Sequence, residues 1–210
     1  PVRGDFFRFT REQAREKLGF TDQRPLLLSY WGSLGAEVMN GYMTDFIRRA
    51  VREGAPFHHI HGAGKAGYPG FLRSLSEKGV DLDAHPALQV REYIYDMALV
   101  MRAADLVICR AGASTISEIT ALATPAILVP SPYVTNNHQE KNARVLENAG
   151  GAVSIEDNMG NGTVVTVSLD PKRVQEIERA GGRGAAVRPE TEQSAYPLPG
   201  AFAQQPMATQ

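Results

Sequence analysis

Cysteine is almost missing from this chain. Cys109 is the only one in 210 residues, so no internal disulfide can form and nothing asks for an oxidising compartment. It sits in an apolar run and reads as a small buried hydrophobe, not a nucleophile. Charge of one sign is also missing. Lys and Arg number 22 against 23 Asp and Glu, for a net charge of -1, which leaves no basic field for nucleic acid. No apolar run reaches the ~18 residues that a membrane span needs. The opening "PVRGDFFRF" has no apolar segment of the signal-peptide kind. The five histidines do not make a metal site: His58, His59 and His61 crowd one strand with no cysteine or carboxylate at ligand spacing. What remains is a globular chain, 43% hydrophobic and 21% charged, expected to be cytoplasmic.

What is present is alternation. Thr10–Leu18 reads as a short helix, with Thr10 and Gln13 at capping-box spacing. Strands are expected at Leu26–Tyr30, Phe57–His61, Leu88–Tyr93, Leu106–Cys109, Ala126–Pro130 and Ala152–Ile155. Helices are expected between them at Ala36–Val51, Phe71–Lys78, Met97–Ala103, Thr115–Ala123 and Gln139–Ala149. In the first of these, Val38, Met39, Tyr42, Phe46 and Ile47 have helical spacing. Strand–helix alternation predicts a Rossmann-like α/β fold, a doubly wound parallel sheet with helices on both faces. Its ligands belong outside the carboxyl ends of the strands. After Asp157 the pattern changes. Thr163–Leu169 reads as a hairpin strand, Pro171–Arg179 as one helix, and Gly181–Gln210, rich in Gly, Ala, Pro and Gln, as disordered. The expected organisation is thus a domain over 1–157 and an atypical tail over 158–210.

The turns at those carboxyl ends carry the chemistry. In "WGSLGA", Gly32 and Gly35 permit a tight turn and close approach of a ligand, and Ser33 offers a hydroxyl. The helix that follows points free N–H groups at the same space, which suits phosphate. Ser33 reads equally as a plain N-cap. A second glycine-rich turn, "HGAGKAG", follows the next strand. In "AGASTISE", Gly112 and Ala113 allow close approach, and Ser114 and Thr115 open a helix. Glu118 lies one turn on, where a carboxylate accepts two hydrogen bonds from a vicinal diol such as ribose. The competing reading is a capping box between Thr115 and Glu118. "PYVTNNHQEKNA" gathers Asn136, Asn137, His138 and Gln139, side chains suited either to sugar hydroxyls or to a solvated, Asn-capped loop. Arg91 and Arg110 read as surface or ion-pairing residues. Taken together, two phosphate-friendly helix starts, a diol-reading carboxylate and an amide-rich loop at one edge of one sheet describe a nucleotide-sugar site.

Three stretches, "LSYWGSLGAEVMN", "ADLVICRAGASTISEI" and "PAILVPSPYVTNNHQEKNARVLENAGGA", resemble the C-terminal half of the MurG family over about residues 1–157. The resemblance implies the C-terminal domain of a GT-B glycosyltransferase that binds UDP-GlcNAc and transfers GlcNAc to lipid I, giving lipid II for peptidoglycan. It implies that Ser33, with Gly32 and Gly35, meets the diphosphate, joined by Gly112, Ala113, Ser114 and Thr115. Glu118 would hold the ribose. Ile94 would offer its backbone to uracil, with Met97 packing nearby. His138 and Gln139 would reach the GlcNAc, and Arg3 would lie near the donor. No metal or other cofactor is implied, and the donor is a substrate. The family's proposed base lies in an N-terminal domain, so no catalytic residue is expected among these residues, and a partner domain or chain must carry the lipid I site. For the whole family enzyme the expected location is the cytoplasmic face of the bacterial inner membrane. Two departures stand out: Trp31 where the family usually has Gly, and Leu34 where Gln is common.

Three functions fit. One is the donor half of an inverting, metal-independent GlcNAc transferase. Another is a non-catalytic UDP-sugar-binding module needing a separate acceptor chain. The third is a related two-domain enzyme such as a UDP-GlcNAc 2-epimerase, for which the chain shows no suitable carboxylate set.

Overall fold

The computed structural model describes residues 2–33, 35–131 and 134–148, and the backbone of strands at 152–157 and 163–168. The expected helix at Pro171–Arg179 and the expected disorder from Gly181 lie outside the described residues. A 3-10 turn at Gly4–Phe7 precedes helix α1, Arg11–Lys17. The capping box at its start is present in both directions: Gln13 N–H donates to Thr10 Oγ1 at 3.2 Å, and Thr10 N–H to Gln13 Oε1 at 3.0 Å.

Strand β1 (Leu26–Tyr30) leads to α2 (Glu37–Arg52), β2 (His58–Gly62) to α3 (Tyr68–Glu77), and β3 (Leu88–Arg91) to α4 (Met97–Ala103). Then come β4 (Leu106–Cys109), α5 (Ala113–Leu122), β5 (Ala126–Leu128), a 3-10 turn at Thr135–Asn137 and α6 (His138–Asn148). Two strands close the sheet, β6 (Ala152–Asp157) and β7 (Thr163–Ser168). The order is β3-β2-β1-β4-β5-β7-β6, with β1 to β5 parallel. Strand β6 does not follow β5 in the sheet. Instead β7 pairs antiparallel with both β5 and β6, and its register sets Val165 opposite Leu128 and Val167 opposite Ala126.

Because β1 and β2 alternate sides, they feed two cores. Leu26, Leu28 and Ile60 pack with Met101 of α4 and Ile119 of α5 on one face. On the other, Met43 and Ile47 of α2 meet Phe71 and Leu75 of α3. Helix α2 turns Ile47 inward, with Met39 and Phe46 packed against the same core, but not all of its apolar residues. Val38 and Tyr42 are exposed, 60% and 42%, while Asn40 and Thr44 are buried. At the amino ends of the strands, Asp105 binds β1 to α1. Its carboxylate accepts from Leu26 N–H at 2.8 Å and from Arg15 Nη1 at 3.2 Å, and it pairs with Arg11. Among the described residues no helix is long and apolar enough to cross a membrane. Cys109 is buried, and that burial pushes its thiol up to about 12, so it is a core residue.

Candidate functional site

The chain order reverses between β1 and β4, which both leave from the same edge. That point is where open parallel sheets take their ligands. A cleft of about 400 Å³ opens there. Its walls come from the carboxyl ends of successive strands: Tyr30, Gly32 and Ser33 after β1, Gly62 and Gly64 after β2, Glu92, Tyr93 and Ile94 after β3, and Thr115 and Glu118 after β4. Arg3 and Met97 complete the lining.

Of the residues singled out from sequence, Arg3, Gly32, Ser33, Ile94, Met97, Thr115 and Glu118 therefore share one cavity. The others lie elsewhere. Gly112 is the N-cap of α5, and Ala113 and Ser114 are its exposed first residues. His138 is exposed and holds the carbonyl of Thr135 through Nδ1 at 3.0 Å. Gln139 Oε1 accepts from Ser131 N–H at 2.8 Å, so its amide ties down the loop after β5. Gly35 sits outside the lining and serves packing. Its φ is +79°, and a Cβ there would stand 2.2 Å from the carbonyl oxygen of Ala63. Gly32, with φ +91°, has open space where a Cβ would be.

The two capping alternatives do not hold. Helix α5 begins at Ala113 with Gly112 as N-cap and no side-chain cap, so Thr115 lies inside the first turn and Glu118 closes no box. Helix α2 begins at Glu37 after Ala36, again without a side-chain cap, so Ser33 caps nothing. Both helices thus present first-turn N–H groups that no side chain occupies. Thr115 instead accepts from Tyr30 Oη at 3.5 Å. Burial raises the pKa of Glu118, with Arg3 pulling it down and Asp5 pushing it up. Ile94 is buried, and none of the other described backbone groups bonds to its N–H or carbonyl.

Sequence reasoning missed Tyr30, Gly62, Gly64, Glu92 and Tyr93 as cleft residues. The rule that ligands gather at strand ends would have found them had it been carried through to the last residue of β1 and to the ends of β2 and β3. It also left Arg110 as a generic ion-pairing residue. Arg110 Nη1 donates to the carbonyls of Val129 and Pro130, both at 3.0 Å, and its guanidinium lies over the Trp31 ring at 5.9 Å. Trp31 therefore fills the end of β1 as part of the core, its indole Nε1 buried without a partner among the described residues. Among the described residues no group of three or more His, Cys, Asp or Glu is placed to bind an ion.

Comparison with known proteins gives the family of this fold. The family model for the glycosyltransferase family 28 C-terminal domain matches residues 30–173. An enzyme of Acetivibrio thermocellus, named UDP-N-acetylglucosamine–N-acetylmuramyl-(pentapeptide) pyrophosphoryl-undecaprenol N-acetylglucosamine transferase, is 45% identical over 155 residues. That match covers 74% of this chain and 40% of the enzyme. The enzyme of the same name from Desulforudis audaxviator is 42% identical over 185 residues, covering 86% of this chain and 49% of its own. The crystal structure of Acinetobacter baumannii MurG superposes with a TM-score of 0.52 at 28% identity, over 71% of this chain and 40% of that one. The chain thus spans about half, or less, of the relatives it matches. With most of its length matched by the family model and a Rossmann-like sheet of the GT-B type, this chain belongs to glycosyltransferase family 28, and the domain it carries is the C-terminal one, of the MurG kind.

Proposed function

We propose that this chain is the donor-binding half of an inverting, metal-independent N-acetylglucosaminyltransferase that converts lipid I to lipid II. UDP-GlcNAc lies in the cleft at the β1–β4 reversal. The observation that carries this reading is one cleft at the carboxyl ends of the strands that gathers Ser33, Ile94, Thr115 and Glu118, beside a helix α5 whose N-terminus has no side-chain cap. Glu118 accepts from both ribose hydroxyls. Ile94 offers its unused N–H and carbonyl to uracil. Ser33 and the N–H groups at the start of α5 face the diphosphate, where Gly32 leaves room for close approach. His138 and Gln139 approach the sugar only if the loop after β5 rearranges, because both now bond to loop backbone.

In the reaction, an acceptor hydroxyl attacks the anomeric carbon as its bond to the diphosphate oxygen breaks, with inversion. The helix N-termini stabilise the charge gathering on UDP. The acceptor's proton passes to a base that the cleft does not contain: its ionisable lining residues are Arg3, Glu92, Glu118 and two tyrosines, none placed as the sugar's neighbour by this reading. That base, and the lipid-linked acceptor in the relatives' names, belong to a further domain or chain working at the cytoplasmic face of the membrane. The second reading is a UDP-sugar-binding unit that turns over only with a separate acceptor-domain chain.

Calorimetric titration of UDP-GlcNAc into the chain tests the donor site. Saturable binding is expected, weakened about 30-fold in Glu118→Ala, as befits loss of roughly 2 kcal/mol of charge-assisted hydrogen bonding. Binding that survives the substitution intact would refute the ribose assignment. Adding a chain that carries the acceptor domain then separates the two readings, because a dormant binding unit gains turnover only with it.

A further inference from the structure

The second glycine-rich turn, "HGAGKAG" from His61 to Gly67, has no part yet in the donor reading, although Gly62 and Gly64 line the cleft. Behind it lies a buried polar chain whose proton positions can be worked out. Asn40 of α2 donates from Nδ2 to the carbonyl of Ala63 at 2.9 Å. Its Oδ1 is thus the atom facing His61 Nε2 at 3.3 Å, and an amide oxygen only accepts, so His61 Nε2 carries the proton. His61 Nδ1 is then a bare lone pair, and Ser29 Oγ, 2.7 Å away, donates to it. The Ser29 oxygen in turn accepts from His59 Nε2–H at 2.8 Å. That leaves His59 Nδ1 as an acceptor with no partner among the described residues, a lesser penalty than an orphan N–H. Every direction in the chain follows from the Asn40–Ala63 bond. Asn40, Ser29, His59 and His61 are all buried, which makes the arrangement costly to break.

The same carbonyl of Ala63 is the surface on which Gly35 rests. Two residues on, Lys65 N–H donates to the carbonyl of Ser33 at 3.4 Å. At Gly67, an added Cβ would fall 2.5 Å from Asn40 Nδ2. The turn after β1 and the turn after β2 therefore meet at Gly35 and through the Lys65–Ser33 bond, with Asn40 of α2 bracing the second turn from behind, and between them they form one end of the cleft.

Building on the donor-site reading above, we infer that Asn40, backed by the His61–Ser29–His59 chain, is a positioning residue. It sets the spacing of the Gly32–Gly35 and Gly62–Gly67 turns around the donor's diphosphate. A nucleoside, held at the Glu118 and Ile94 end, should be indifferent to that spacing.

The test compares UDP with uridine on the full chain, by calorimetry and ligand-observed NMR, in wild type, Asn40→Asp and Asn40→Ala. Asn40→Asp keeps the acceptor for His61 Nε2–H but turns an oxygen toward the Ala63 carbonyl. Asn40→Ala removes the tie without adding charge. In a variant that retains a cooperative melt, UDP affinity should fall about tenfold or more while uridine affinity changes less than about threefold. Amide exchange across 63–67 should also speed up without any ligand. Parallel losses for both ligands, an unchanged ratio, or failure of both variants to fold would make Asn40 a mere core residue and overturn the inference. Absence of UDP binding in the wild type would instead overturn the donor reading itself, and this inference with it.

Discussion

Acid should destabilise this fold well before its carboxylates titrate, and His59 and His61 set the size of the effect. Both are essentially without solvent exposure. Burial, and then the neighbouring His61, holds His59 down to about 3 from the ordinary 6.5. Burial holds His61 to about 4, with hydrogen bonding at Ser29 pulling slightly back. In both, the folded pKa lies below the unfolded one. The unfolded chain therefore takes up protons first as the pH falls. The stabilisation is complete above the unfolded value near 6.5 and is lost progressively below it. Each imidazole costs about 1.36 kcal/mol per pH unit in that window, hence about 2 kcal/mol by pH 5 and about 4 kcal/mol for the two.

Urea unfolding followed by circular dichroism at a series of pH values between about 7.5 and 5 reads this directly. A thermal midpoint should drop by about 10 °C over the same range, at roughly 2–4 °C per kcal/mol for a chain of this size. The carboxylates with shifted pKa do not imitate it. Asp22 is held below the ordinary carboxylate range, first by Arg24 and then by His58, so its contribution is lost only in stronger acid. Glu118 is shifted upward, so acid works in favour of the fold there. His59→Gln, which keeps a donor toward Ser29, should roughly halve the slope. A midpoint that stays flat from neutrality to about pH 5 would refute the reasoning, because it would mean that the two imidazoles are already hydrated or charged in the folded protein.

Three other substitutions test the packing around the site. Gly35→Ala meets both a left-handed φ and the Ala63 carbonyl at 2.2 Å, so thermal melts should register a loss of more than about 2 kcal/mol, and a neutral result would mean the two turns are not docked. Trp31→Phe removes the unpartnered indole N–H and keeps most of the ring. Stability should hold or rise by up to about 1 kcal/mol, whereas a clear loss would reveal a partner for Nε1. Asp105→Ala strips an acceptor from Arg11, Arg15 and the Leu26 N–H together, for an expected cost of about 2 kcal/mol, and the loss should shrink in an Arg15→Ala background.

The alternation of strands and helices was legible because each parallel strand is short, apolar and followed by a turn. Strands β1 and β4 and helix α4 fall where their patterns put them, at Leu26–Tyr30, Leu106–Cys109 and Met97–Ala103. Less legible was anything decided by a neighbour distant in sequence. Strand β3 stops at Arg91, not Tyr93, because the chain leaves the sheet there to form the cleft wall. Helix α3 starts at Tyr68, earlier than its apolar residues show, since Pro69 is tolerated in a first turn. Helix α5 starts two residues before Thr115, and that shift alone removes the capping-box alternative for Glu118. The buried side of α2 departs in part from its hydrophobic pattern, for a specific reason. Asn40 goes inward because Ala63 and His61 supply its partners, and no local pattern announces them. The insertion of β7 between β5 and β6 is likewise a pairing choice that two similar β-rich runs leave open.

The charges of the cleft bear on how a diphosphate would be held there. Its acidic and basic side chains are two carboxyl groups, Glu92 and Glu118, and the guanidinium of Arg3. Arg3 is exposed and already paired with Asp5 at 3.4 Å. Side-chain charge thus offers little to an incoming anion, and exposed pairs of this kind contribute little even when formed. On the proposed donor reading, the attraction comes from peptide N–H groups at the start of α5, which carries no side-chain cap and needs no reorganisation. Such a site should show a shallow dependence of affinity on salt, because no flexible cation is recruited or released. It also depends on backbone spacing more than on any one side chain. That dependence gives a physical reason for a glycine at 35 with no room for a methyl group, and for an amide at 40 that holds the opposite turn by its carbonyl.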